Sequence, residues 1–159
     1  MVGNDFSYRI IIIIIIIIRA FVSAGVPVTK EPVGLARQDG KRPDGLTLIQ
    51  WQRCKPLTWD VTVAHTLADS SVSATARSGG AAAEQAAGRK IAKYDLLAQT
   101  GRLFQPIAAE TLGPLNQSSI AFFSKLGRKI AYILGDKLYI LAYILGDKLP
   151  SIIQFSTVC

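Results

Sequence analysis

The chain has 159 residues, half of them apolar, and a net charge of +7. That is enough for one domain with its own core. Cys54 and Cys159 are the only cysteines and His65 the only histidine, which excludes a disulfide framework and a structural zinc site and points to a reducing, intracellular compartment. The positive balance suits a polyanionic partner, nucleic acid or an anionic membrane surface.

In chain order, residues 1–24 read as a low-complexity leader. Nine consecutive isoleucines, Ile10 to Ile18, lie between Arg9 and Arg19. A membrane span needs about 20 apolar residues, so no span is expected. Asp5 and Arg19 also argue against a secretory signal. The run resembles a translated microsatellite and carries a β-aggregation hazard.

The folded part is expected over residues 25–131. Val26 to Glu31 alternates as an edge strand that tolerates Pro27. The polar stretch from Gly34 to Gly45 is a loop. Leu46–Trp51 and Leu57–Ala64 read as two strands joined by a turn at Gln52–Pro56. Residues 70–80 are small and polar. Ala81–Gln99 is the strongest helix, stopped at Gly101, with Ala83, Ala87, Ile91, Tyr94 and Ala98 as its buried stripe. Leu103–Leu112 is a strand weakened by Pro106. A last helix begins near Asn116 or Ser118, with Ile120, Phe123, Leu126 and Ile130 inward. Residues 132–159 form a duplicated apolar tail, because the octapeptide Ala131–Leu138 recurs at Ala142–Leu149. Two copies do not make a solenoid, and the repeat reads as a recent duplication or an assembly artefact. Strands followed by helix, strand and helix give an α/β domain with helices on a mixed sheet.

The residues that carry chemistry are Asp44, heading one strand in Arg42-Pro43-Asp44-Gly45, and Asp60, inside the next in Trp59-Asp60-Val61-Thr62. Pro-Asp-Gly taken alone is ordinary turn chemistry. Two carboxylates brought together by a hairpin can hold a magnesium or manganese ion, which takes oxygen ligands and keeps several waters. Side-chain alternation puts Asp60 and Thr62 on one face, expected to be the wet one, and Val61 and Val63 on the other. Lys41, Arg42, Arg53, Lys55 and Arg89 are candidates for a phosphate-backbone track, with Arg37 and Arg77 beside them. His65 reads as a loop histidine, and Trp51 and Trp59 as packing residues rather than base-stacking platforms.

Arg42-Pro43-Asp44, Asp60-Val61-Thr62 and the helical Arg89-Lys90-Ile91-Ala92-Lys93-Tyr94 together resemble the PD-(D/E)xK restriction-endonuclease-like superfamily. More narrowly, they resemble the endonuclease-like domain at the C-terminal end of non-LTR retrotransposon reverse-transcriptase proteins. The resemblance spans about residues 25–131. It implies an αβββαβ core, magnesium- or manganese-dependent DNA cleavage, and Asp44 and Asp60 as metal ligands. The superfamily lysine two residues after the second acid is replaced here by Thr62. The retrotransposon branch supplies it from the helix, as Lys90 or Lys93, with Glu31 a further acid candidate. The family's first helix should precede Gly25, where the isoleucine run stands, so the core is expected to lack a normal first helix, and its ends to be disordered or of low complexity. The implied partner is DNA, or RNA of the same element, in the nucleus or cytoplasm. The competing expectations are an inactive nucleic-acid-binding remnant and a non-functional translated fragment.

Overall fold

The isoleucine run is the middle of a helix. A computed structural model of the chain describes residues 3–35, 40–66, 78–95, 99–111 and 113–135, and its first element is α1, Gly3–Ser23. Isoleucine loses side-chain freedom in a helix, so the run would not hold that form by propensity. Burial decides instead. Ile14, Ile17 and Phe21 are buried, the last two completely, Ile10, Ile13 and Ile18 pack beside them, and Ile11, Ile12, Ile15 and Ile16 stay exposed. Each fully buried side chain contributes roughly 1.5–3 kcal/mol. The helix ends where the sequence supplies a stop. Gly25 takes φ +65°, its N–H reaches the Val22 carbonyl, and the Val26 N–H reaches that of Phe21. This is a Schellman closure, completed by Val26 and Phe21 sharing the core.

Four strands follow: β1 (Val28–Lys30), β2 (Gly45–Thr47), β3 (Leu57–Ala64) and β4 (Leu103–Glu110). They lie in the order β1-β2-β3-β4; the first two pairings are antiparallel and β3–β4 is parallel. The chain crosses from β3 to β4 through α2, Ala81–Lys93, and ends its described part with α3, Gln117–Ile133. Pro106 is tolerated because β4 is an edge strand with β3 as its ladder partner.

Each face of the sheet has its own cover. On one, α1 and α3 bring Phe21, Phe122 and Leu126 against Trp51, Leu57, Trp59, Val61 and Ile107. On the other, Ala83, Ala86 and Ala87 of α2 lie on Ala108, with Ala64 beside them. Alanine lets this helix approach closely, which brings its C-terminal turn down onto the middle of β3. Two carboxylates tie the helix starts to the frame: Glu110 accepts from the Ala82 and Ala83 N–H groups at the head of α2, and Glu84 from the Gln117 N–H at the head of α3.

Several expectations need correction. Residues 3–23 are not a leader outside the domain. They supply the first helix that the core was expected to lack, because the sheet offers the run an apolar face to cover. β2 stops at Thr47 rather than Trp51: the Thr47 hydroxyl accepts from the Leu57 N–H and donates to the Ile49 carbonyl, and the chain turns away. α2 is bounded at Lys93, and Ile91, expected inside, is exposed. Ile120 is also exposed, and Ser119 and Phe122 take the inner face of α3. Cys159 lies outside the described residues. The second octapeptide copy, Ala98, Arg37 and Arg77 also lie outside them. Among the described residues no helix is long and apolar enough to cross a membrane.

One contact joins the core to the strand pairing. Gly45 stands opposite Trp59, and a Cβ at Gly45 would lie 1.9 Å from the indole ring. Gly45 is therefore a strand glycine whose missing side chain admits a tryptophan, not a turn glycine. Two outcomes follow in urea unfolding. Phe21→Ala loses roughly 3–5 kcal/mol, while Ile12→Ala, on the exposed side of the same helix, loses less than about 1 kcal/mol. Gly45→Ala destabilises by more than about 2 kcal/mol although it adds one methyl group, because the neighbour it meets is a fully buried ring.

Candidate functional site

Trp59 points into the core, so strand alternation sends Asp60 to the α2 face. Gly45 pairs with Trp59, and Asp44 therefore stands beside Asp60 at the next position of the ladder. The Asp44 carboxylate takes over where the ladder stops: its Oδ2 accepts from the Val61 N–H at 2.6 Å, and the Asp44 carbonyl accepts from the Glu31 N–H at 3.0 Å. The Asp60 face was expected to be wet. Asp60 is in fact 4% exposed, because α2 covers it.

The last turn of α2 completes the site. Lys90 and Tyr94 lie four residues apart, on one helix face. The Lys90 ammonium forms an ion pair with Asp60 Oδ2, and the Tyr94 hydroxyl lies 3.4 Å from Asp60 Oδ1 and 3.3 Å from the Arg42 carbonyl oxygen. Tyr94 is itself buried and held by a tilted ring contact with Phe104, centroids 4.8 Å apart. It thus links the helix, Asp60 and the loop that carries Arg42. From the sequence Tyr94 is expected in the buried stripe and at the end of the Arg89–Tyr94 segment, with no role of its own at the site.

Burial raises both carboxyls above the ordinary range. For Asp44, loss of water is the largest cause, the Val61 N–H works against it, and the neighbouring Asp60 charge adds to it. The result is a pKa of about 6. For Asp60, burial again raises the pKa, opposed chiefly by the Lys90 ammonium. Two acids in one mostly dry place favour either a shared proton or a nearby cation.

These groups line a cleft of about 450 Å³, whose rim carries Lys41, Arg42 and Lys93. Of the other residues singled out in the sequence, Glu31 lines the same cleft but pairs with Lys30 at 3.7 Å. Arg53 and Lys55 sit on the turn that precedes β3, seven and five residues before Asp60, and do not line the cleft. Arg89 is exposed on α2 outside it. His65 is exposed just after β3. Trp51 and Trp59 are core residues, with Phe21 against both at centroid distances of 5.3 and 4.9 Å.

Among the described residues no group of three or more His, Cys, Asp or Glu side chains is gathered as a metal cluster. The donor set is two carboxylates, which fits magnesium or manganese, since these complete their shell with water and substrate oxygens. Comparison with family models, with curated proteins and with solved structures finds no match.

The raised Asp44 carboxyl has a consequence for stability. Its folded pKa, about 6, lies above the ordinary 3.8, so between these values the folded chain holds more protons than the unfolded one. Stability therefore falls as pH rises through that window. Urea unfolding in a chelator should show a fall of at most about 3 kcal/mol, at about 1.4 kcal/mol per pH unit, and Asp44→Asn should flatten it. An equally steep profile in the variant would place the titration elsewhere.

Proposed function

We propose that this chain is an endonuclease-like domain that cleaves DNA with magnesium or manganese, of the restriction-endonuclease-like kind found in non-LTR retrotransposon proteins. One observation carries the reading: an acid at the head of β2, an acid inside β3 and a lysine from the following helix converge on one cleft. The helix ahead of β1, the antiparallel β1–β2–β3 ladder and the α2 crossover to a parallel β4 also support it, since they follow the αβββαβ order.

Asp44 and Asp60 would hold the ion, which when bound supplies a polarised phosphoryl oxygen and a more acidic water. The chain's own groups do the rest. Lys41, Arg42 and Lys93 raise the positive potential at the cleft mouth and draw in a phosphate backbone. Lys90, anchored on the rigid helix, brings an ammonium to where negative charge develops on the phosphate. Tyr94 holds Asp60 and the Arg42 loop at a fixed separation. Of the two helix lysines, Lys90 is the better placed, because it alone pairs with an acid of the site; Lys93 reaches the rim, 5.8 Å from the Tyr94 ring centroid.

Supercoiled-plasmid nicking by the full-length chain tests the proposal. Manganese-dependent nicking should fall by at least ~100-fold in Asp44→Ala, Asp60→Ala and Lys90→Ala, the scale of losing one electrostatic or acid–base contributor. Salt-sensitive DNA binding without nicking, unchanged in Asp44→Ala, would instead identify a nucleic-acid-binding remnant.

A further inference from the structure

We infer that Lys90 sets the metal affinity of the Asp44–Asp60 site by standing in for the cation, so that a divalent ion binds only by displacing its ammonium from Asp60. The inference rests on the nuclease reading of the cleft. Asp44 Oδ2 accepts from the Val61 N–H, Asp60 Oδ1 faces the Tyr94 hydroxyl, and Asp60 Oδ2 carries the Lys90 ammonium. The first two donors are neutral and can remain while the same carboxylates take a cation through other lone pairs. The third is a full positive charge on a ligand atom. A divalent ion brought to the two acids would stand within a few ångströms of it, in a place where α2 keeps water out and screening is weak.

The arrangement also explains how the acids stay folded together without a metal. Two uncompensated carboxylates, one buried and one half-buried, would oppose folding, and one internal ammonium offsets half of that charge. The lysine stem is flexible and is rooted on α2 one turn before Tyr94. Its head can therefore leave Asp60 for the cleft mouth, beside Lys93 and Arg42, where a phosphate would lie. Metal loading would thus release Lys90 for its part in cleavage. A lysine with these two positions affects metal binding and turnover in opposite directions, whereas a lysine that only braces the site weakens both.

Isothermal titration of manganese into the full-length chain, without DNA, separates these cases. Lys90→Met should bind manganese about 10-fold more tightly than wild type while nicking plasmid far more slowly. Lys125→Met, on α3 outside the cleft, controls for net charge and should stay within about twofold, because a charge remote from the cleft is screened. In a chelator Lys90→Met should melt below wild type, and manganese should raise its melting temperature by more. If Lys90→Met does not fold, Lys90→Gln, which keeps a polar head, is titrated in its place. Unchanged or weaker manganese binding by the folded variant overturns the inference and leaves the nuclease reading standing. No manganese binding by wild type overturns both.

Discussion

The seating of Trp59 on Gly45 is the contact on which both halves of the structure depend. The indole occupies the space a side chain at position 45 would need, and Phe21 of α1 closes over it. That contact pins β2 against β3 in one register. Register then decides the site, because the neighbours of these two residues are Asp44 and Asp60. With Trp59 turned into the core, Asp60 must face α2, and with Gly45 opposite Trp59, Asp44 must stand beside it. A slip of one residue would send Asp60 into the apolar layer. Packing on one face of the sheet thus sets the distance between two charges on the other.

The same logic explains why α1 matters to a cleft it does not line. Its inner stripe covers Trp59, Trp51 and Val61, so the helix stabilises the strand from behind while α2 approaches from the front. The alanines of α2 allow that approach, and the Glu110 carboxylate fixes where the helix starts. With its start fixed, two turns of helix later Lys90 arrives at Asp60 and, a turn further, Tyr94 arrives above it. The geometry of the cleft therefore rests on contacts made up to three turns away.

How much of this could be read from residues alone varied with the kind of signal. β3 was legible because Leu57 to Ala64 is rich in β-branched and aromatic residues, and its bounds are those expected. The acids were legible as a pair, since a hairpin brings strand neighbours together. α1 was not legible because a homopolymer has no periodicity. Nine identical residues cannot show which face is inner, and isoleucine's strand preference points the wrong way; the choice between Ile14 and Ile15 as the buried residue was made by the sheet. Gly45 was misread because Pro-Asp-Gly is common in turns, and only the ring opposite it reveals another reason for the glycine. Ile91 and Ile120 were expected inside from their hydrophobicity, but the inner stripe of α2 runs through alanines that permit closer packing, and Ser119, Phe122 and Leu126 fill that of α3.

The central claim is that Asp44 and Asp60 hold one divalent ion at the junction of β2, β3 and the end of α2. Paramagnetic broadening of backbone amide signals by manganese, measured on the full-length chain by ¹⁵N–¹H NMR, tests it most directly. The account predicts that Gly45, Val61 and Lys90 broaden first, at substoichiometric metal, and that Asp44→Asn abolishes the effect. Broadening centred elsewhere, or undiminished in Asp44→Asn, would contradict it.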